Sequence, residues 1–218
     1  MESYFILGTG TGVGKTWASA WLCRRALAQG RRTAYLKPVQ TACDGVVPGD
    51  AEWLRGQCGD GLLPAGLELA SPYRYPLAAS PHLAARVAGA QAPGLAEVAA
   101  AIANIVEAAA PDLLVVESAG GVATPLRLGL SMGDVAAALK IPVILVASPG
   151  LGTLSATVTA HEYLAHRGVI PAGLIVSGCS PEPDLVEADN LVELEKLAGD
   201  GFFWRLPRAE SPGFPGRA

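Results

Sequence analysis

The sequence predicts an α/β fold in three layers, a doubly wound and mainly parallel sheet flanked by helices. Three observations point there. Apolar runs of strand length alternate with helix-period segments along the chain. Runs such as Val143-Ile144-Leu145-Val146 are continuously apolar, as strands covered on both faces are. The first run opens into a glycine-rich turn and then a helix. In order, strands are expected at 4–7, 33–39, 112–117, 142–147, 172–177 and 202–206. Helical periodicity covers 16–29, 96–109, 134–139, 153–167 and 185–197. Alternation of this kind implies right-handed crossovers. It also directs attention to the carboxyl ends of the strands, where open α/β sheets bind their ligands.

Composition narrows the function classes. With 218 residues, 50% of them hydrophobic and 17% charged, the chain has ample material for one core. One domain over 1–218 is expected, with a loose tail from about position 208. A net charge of −4 and a pI near 5.4 argue against a nucleic-acid surface. The apolar stretch 98–110 carries Asn104 and Glu107 and is too short for a membrane span, so no membrane partner is expected. Met1-Glu2-Ser3 lacks a basic signal-peptide start. Cys23, Cys43, Cys58 and Cys179 show neither C-x-x-C pairing nor metal-ligand spacing, so reduced thiols in a cytoplasmic protein are expected.

Residues Gly8 to Thr16, GTGTGVGKT, carry the strongest signal. Glycines let the backbone curl so that several N–H groups face one anion. The following helix N-terminus adds partial positive charge, and Lys15 a full one. Thr16 offers a hydroxyl to a magnesium ion riding on the phosphates. The strict G-x-x-x-x-G-K-[ST] spacing requires glycine at position 9, where this chain has Thr9, so the loop is a variant of a P-loop NTPase-like pattern.

The remaining strand ends supply a short roster. Lys37, followed by Pro38, should face the crevice where the chain turns from the sheet. Glu117 precedes Gly120-Gly121, and a buried carboxylate there needs a cation, which Mg²⁺ would provide. Asp50 opens a helical stretch and suits either a cap or a metal contact. Free N–H groups at Gly152-Thr153-Leu154-Ser155 suit a carboxylate. His161 and His166 sit on one helix with ordinary spacing and are not expected to be catalytic; His82 fits loop structure or substrate support equally.

GTGTGVGKT, LKPVQT, Gly49-Asp50-Ala51, SPH, VVESAGG with TPL, PVILV and LGTLSATVTA occur in the order seen in dethiobiotin synthetases, and over 4–178 the chain resembles that family. The resemblance implies an ATP-dependent ring closure in biotin synthesis. In it, 7,8-diaminononanoate and CO₂ (or bicarbonate) form a carbamate, ATP phosphorylates it, and the second amine closes a cyclic urea. It implies Lys15 across the phosphates and Lys37 between γ-phosphate and carbamate. Thr16, Asp50 and Glu117 match magnesium ligands, and Thr11 and Thr41 match positions beside the diamine and carbamate. Nucleotide contacts are expected at Gly12, Val13, Gly14, Lys15, Thr16, Trp17, Asp50, Glu117, Ser118, Ala119, Gly120, Ser177 and Gly178. Thr153, Leu154 and Ser155 match the seat of the substrate carboxylate, near a two-fold axis of the homodimer the family implies.

Four positions depart from the family pattern. Gly10 stands for a common Asp, Gly12 for a common Glu, and Ser118 for a glycine. Val176-Ser177-Gly178 lacks the Asn that often reads the adenine edge, so other nucleoside triphosphates are admitted alongside ATP. Two rival readings stand beside this one. A corrinoid-acid amide synthetase usually carries a glutaminase domain, for which the chain has no room. A MinD-like partition ATPase carries an early loop lysine where this chain has Thr9-Gly10-Thr11-Gly12.

Overall fold

A computed structural model describes residues 1–43, 49–64 and 66–208, the side chain of Leu67 excepted. Its centre is a seven-stranded sheet whose strand pairings are all parallel. The strands are β1 (Glu2–Gly8), β2 (Thr33–Leu36), β4 (Leu62–Leu63), β6 (Leu113–Gly121), β9 (Val143–Ala147), β10 (Gly173–Cys179) and β11 (Phe202–Pro207). Two small pairs stand apart: β3 (Val39–Thr41) with β5 (Tyr73–Tyr75), and β7 (Pro125–Arg127) with β8 (Leu130–Ser131). The main order is β11-β10-β9-β1-β6-β2-β4. The chain leaves central β1 toward β2 on one side and later reaches β9 on the other, so the switch point lies where β1 ends in the glycine loop.

Alternate residues of each strand divide between two cores. Ile6, Tyr35, Val115, Ile144 and Ile175 pack under α1 (Lys15–Ala28) and α2 (Asp50–Cys58). Phe5, Leu36, Val116, Leu145 and Val176 face α5 (Leu95–Ala109), α6 (Met132–Leu139), α7 (Thr153–Ala165) and α8 (Leu185–Ala198). Short α3 (Leu67–Ala70) and α4 (Pro81–Val87) complete the middle of the chain. The three-layer, doubly wound expectation holds. Among the described residues no helix is long and apolar enough to cross a membrane.

Two strand expectations need correction. The run 33–39 is not one strand: β2 stops at Leu36, and β3 pairs with β5 outside the main sheet. Pro38 has no N–H to extend the ladder, and Lys37 N–H instead donates to Ala70 O at 2.8 Å. The third strand does not end at Glu117 either. It runs to Gly121, which lies in register with Gly8, and Val122 N–H donates to Gly8 O at 3.0 Å. The loose tail expected beyond about 208 lies outside the described residues.

Candidate active site

The glycine loop is held between the two strands that flank β1. Thr9 N–H donates to Val146 O at 2.9 Å, while a Cβ at Gly121 would meet Gly10 Cα at 3.2 Å. Helix α1 starts from Gly14 in the left-handed region, φ 90°, with no side-chain cap. Its first N–H groups are therefore left for a ligand. Lys15 folds back to donate from Nζ to Gly10 O at 2.9 Å, and a Cβ at Gly8 would come within 2.9 Å of that Nζ.

Gly14 is also pinned sterically. A Cβ there would lie 2.2 Å from Ser177 Oγ and 2.7 Å from Ser177 Cβ. Ser177 thus packs against the phosphate loop at the end of β10. Gly14→Ala is expected to cost at least about 2 kcal/mol of stability and to remove nucleotide binding, since clash and left-handed strain act together. Adding Ser177→Ala relieves only one of the two contacts, so the double variant should stay impaired; wild-type calorimetric affinity in either would refute this account.

Glu117 is the hub. It is fully buried and accepts four hydrogen bonds. Its Oε1 takes Thr16 Oγ1 at 2.8 Å and Lys37 Nζ at 2.8 Å; its Oε2 takes Ser19 Oγ at 2.9 Å and Tyr35 OH at 3.0 Å. Lys37 Nζ also pairs with Asp50, which opens α2 after the N-cap residue Gly49. Asp50 N–H in turn donates to the buried Gln40 side chain at 3.1 Å, anchoring that helix end to β3. Burial alone would lower the Lys37 pKa, but the Asp50 and Glu117 carboxylates outweigh it and hold it above the ordinary lysine value. Lys37 is a cation at neutral pH. Burial, reinforced by the Glu117 charge, raises the Tyr35 phenol well above its usual value, so Tyr35 remains a donor.

The sequence-selected residues therefore divide. Thr16, Lys37, Asp50 and Glu117 are joined by hydrogen bonds and ion pairs beside the phosphate loop, with Glu117 within β6 and not at its end. Lys15 precedes Thr16, with its side chain turned to Gly10 O. Thr11 and Gly12 are exposed at the loop tip; Val13, Trp17 and Thr41 are half-buried; Ser118 and Ala119 are buried. Gly120 and Gly178 both have positive φ, 73° and 92°. Thr153 is turned inward, Leu154 is half-buried and Ser155 faces solvent. Gly152, with φ 89°, leaves α7 without a side-chain cap. Among the described residues, Trp17 Nε1, Ser118 Oγ and Thr153 Oγ1 are buried polar atoms without a partner. Ser71 Oγ and Thr157 Oγ1 share that state; of the five, Trp17, Ser118 and Thr153 are residues selected from sequence as ligand contacts, where a bound group could complete them.

A Cβ at Gly10 would make only an ordinary 3.8 Å contact with Val13, so crowding at the Cβ does not require glycine there. His82 bonds through Nδ1 with Ser80 Oγ at 3.0 Å at the start of α4, and His166 through Nδ1 with Glu162 O at 2.8 Å. Sequence reasoning passed over Ser19 and Tyr35. Their signal was spacing: Ser19 lies three residues after Thr16 on one helix face, and Tyr35 two before Lys37 along one strand direction.

An oxygen-only set of one hydroxyl and two carboxylates suits a hard divalent cation such as Mg²⁺. Near it stand two buried lysines, Lys15 in the first turn of α1 and Lys37 just past the end of β2, cations that suit a polyanion.

An AAA domain family matches residues 2–209. An ATP-dependent dethiobiotin synthetase BioD from Frankia casuarinae is 38% identical over 208 residues, covering 95% of this chain and 84% of the relative. One from Mycolicibacterium vanbaalenii is 40% identical over 203 residues, covering 91% and 84%. Among solved structures, an apo McdA from Cyanthece superposes with a TM-score of 0.55 at 13% identity, covering 96% of this chain and 87% of that one. The 54 kDa signal recognition particle protein of Aeropyrum pernix gives 0.57 at 16% identity, covering 95% of this chain and 42% of its own. These two share the fold alone.

Proposed function

Because the chain belongs to the ATP-dependent dethiobiotin synthetase family, we propose that it closes the cyclic urea of dethiobiotin from 7,8-diaminononanoate and CO₂. It is an ATP-dependent ligase that forms C–N bonds in biotin biosynthesis. The observation that carries the finer reading is Lys37, a buried cation delivered from β2 to the carboxylates beside the phosphate loop.

The reaction gathers negative charge on a triphosphate, a carbamate and then a carbamic-phosphoric anhydride. Lys15 and the N–H groups of Gly12 to Thr16 hold the phosphates, and Lys37 holds the terminal phosphate against the carbamate. Thr16, Asp50 and Glu117 would hold Mg²⁺, which when bound neutralises phosphate charge during transfer. Thr11 and Thr41 supply neutral hydrogen bonds to the diamine and carbamate. Trp17, Ser118, Ala119, Gly120, Ser177 and Gly178 line the nucleotide. The uncapped start of α7, with Thr153, Leu154 and Ser155, seats the substrate carboxylate. Residues 1–218 act as one catalytic domain in this reading. The chain pairs as a homodimer in which Leu151, 93% exposed beside Thr153, is covered.

Nucleotide hydrolysis tests the proposal, measured with and without 7,8-diaminononanoate, bicarbonate and Mg²⁺, using ATP and CTP in parallel. Phosphate release that requires the diamine and yields cyclic urea one-for-one is the expected result. The two nucleotides report how far loss of the adenine-reading Asn relaxes base choice. Slow hydrolysis indifferent to the diamine would reject the reading.

A further inference from the structure

We propose that Ser19 and Tyr35 are positioning residues that fix Glu117 in one orientation and reserve its Oε1 for the phosphate crevice. The inference rests on the reading of Glu117 as a carboxylate of the metal site. Its basis is a symmetry in the hydrogen bonding. Helix α1 gives one donor to each carboxylate oxygen, Thr16 to Oε1 and Ser19 to Oε2. The β2 segment does the same, with Lys37 to Oε1 and Tyr35 to Oε2. The carboxylate plane is thereby referenced both to the phosphate-loop helix and to the strand that carries Lys37.

Neither donor looks like packing alone. Ser19 is wholly buried between Ala18 and Ala20, in a helix interior where alanine would be the better helix former. A buried serine there usually turns back to a carbonyl of the preceding turn; this one is committed to Glu117. Tyr35 is 1% exposed, so its hydroxyl is spent on Glu117 and not on bulk solvent. A glutamate's terminal torsion is broad and roughly two-fold. Lys37 already donates to Oε1; without the Oε2 pair, the carboxylate is free to turn both oxygens toward it. The ion pair would then compete more strongly with a metal for the group. Ser19 and Tyr35 oppose that rotation.

Ser19→Ala, Tyr35→Phe and the double variant test this in the full chain, by calorimetric titration of ADP without metal and then of Mg²⁺ into the ADP complex. Metal-free ADP affinity should stay near wild type. Mg²⁺ affinity of the complex should fall about 10-fold in each single variant and further in the double, the range found when partners of metal ligands are removed. A role confined to packing would lower the thermal midpoint and leave the ratio of Mg²⁺ to ADP affinity unchanged, which overturns the proposal. Wild type that binds Mg²⁺ while both single variants match it within about twofold also overturns it. Wild type that binds ADP but no Mg²⁺ removes the metal reading itself, and this inference with it.

Discussion

Lys37→Gln should lose two to three orders of magnitude in turnover, roughly the effect of removing one pre-organised electrostatic donor from a transition state. The side chain sits between two carboxylates of the crevice and is held as a cation by them. Glutamine retains an N–H donor for Glu117 but brings no charge to the terminal phosphate or the carbamate. Nucleotide binding should largely survive, because the phosphate loop, Lys15 and the open start of α1 are untouched. Single-turnover phosphate release and calorimetric nucleotide affinity separate the two effects. Near-normal turnover would remove Lys37 from the chemistry; loss of binding equal to loss of rate would make it a simple nucleotide anchor.

The parts of this molecule legible in sequence are those where local chemistry is strong. Val143 to Ala147 reads as a buried strand because both of its faces are covered, and the glycine loop reads from its own spacing. The middle of the chain does not read. β4 has two residues, β5 three and α3 four, too few for any periodicity, and their conformation is set by partners distant in sequence. The break after Leu36 illustrates the difference. Pro38 announces a turn, yet nothing local says that Val39 to Thr41 will pair with Tyr73 to Tyr75.

The site divides along the same line. Lys37 and Glu117 are found by asking which strand ends carry polar groups, a rule that follows from sheet topology. Ser19 and Tyr35 carry no motif and lie inside elements; spacing puts them on the same faces as Thr16 and Lys37, but only the fold brings them to Glu117. Ser177 is a different case. Its position was readable as a strand end, but its close approach to Gly14 is a packing fact that only coordinates reveal.

Glu117 allows the fold and the chemistry to be separated by two substitutions. Glu117→Ala deletes the acceptor of four buried donors and leaves Lys37 paired with Asp50 as its remaining carboxylate in the described crevice. Breaking a buried ion pair on one side costs about 3–5 kcal/mol. For a chain of this size that corresponds to a fall of about 6–20 °C in thermal midpoint. Glu117→Gln keeps the shape. Its oxygen still accepts from Thr16 and Lys37, and its NH₂ faces the Ser19 and Tyr35 hydroxyls, which can rotate to accept. The glutamine variant should therefore stay much closer to wild type in stability yet lose Mg²⁺ affinity with the charge. Thermal unfolding and Mg²⁺ titration in the presence of ADP check both. A midpoint for the alanine variant within about 2 °C of wild type would mean the four donors find other partners, and the hub is not structural. Equal Mg²⁺ affinity in the glutamine variant would move the metal off Glu117, toward Thr16 and Asp50.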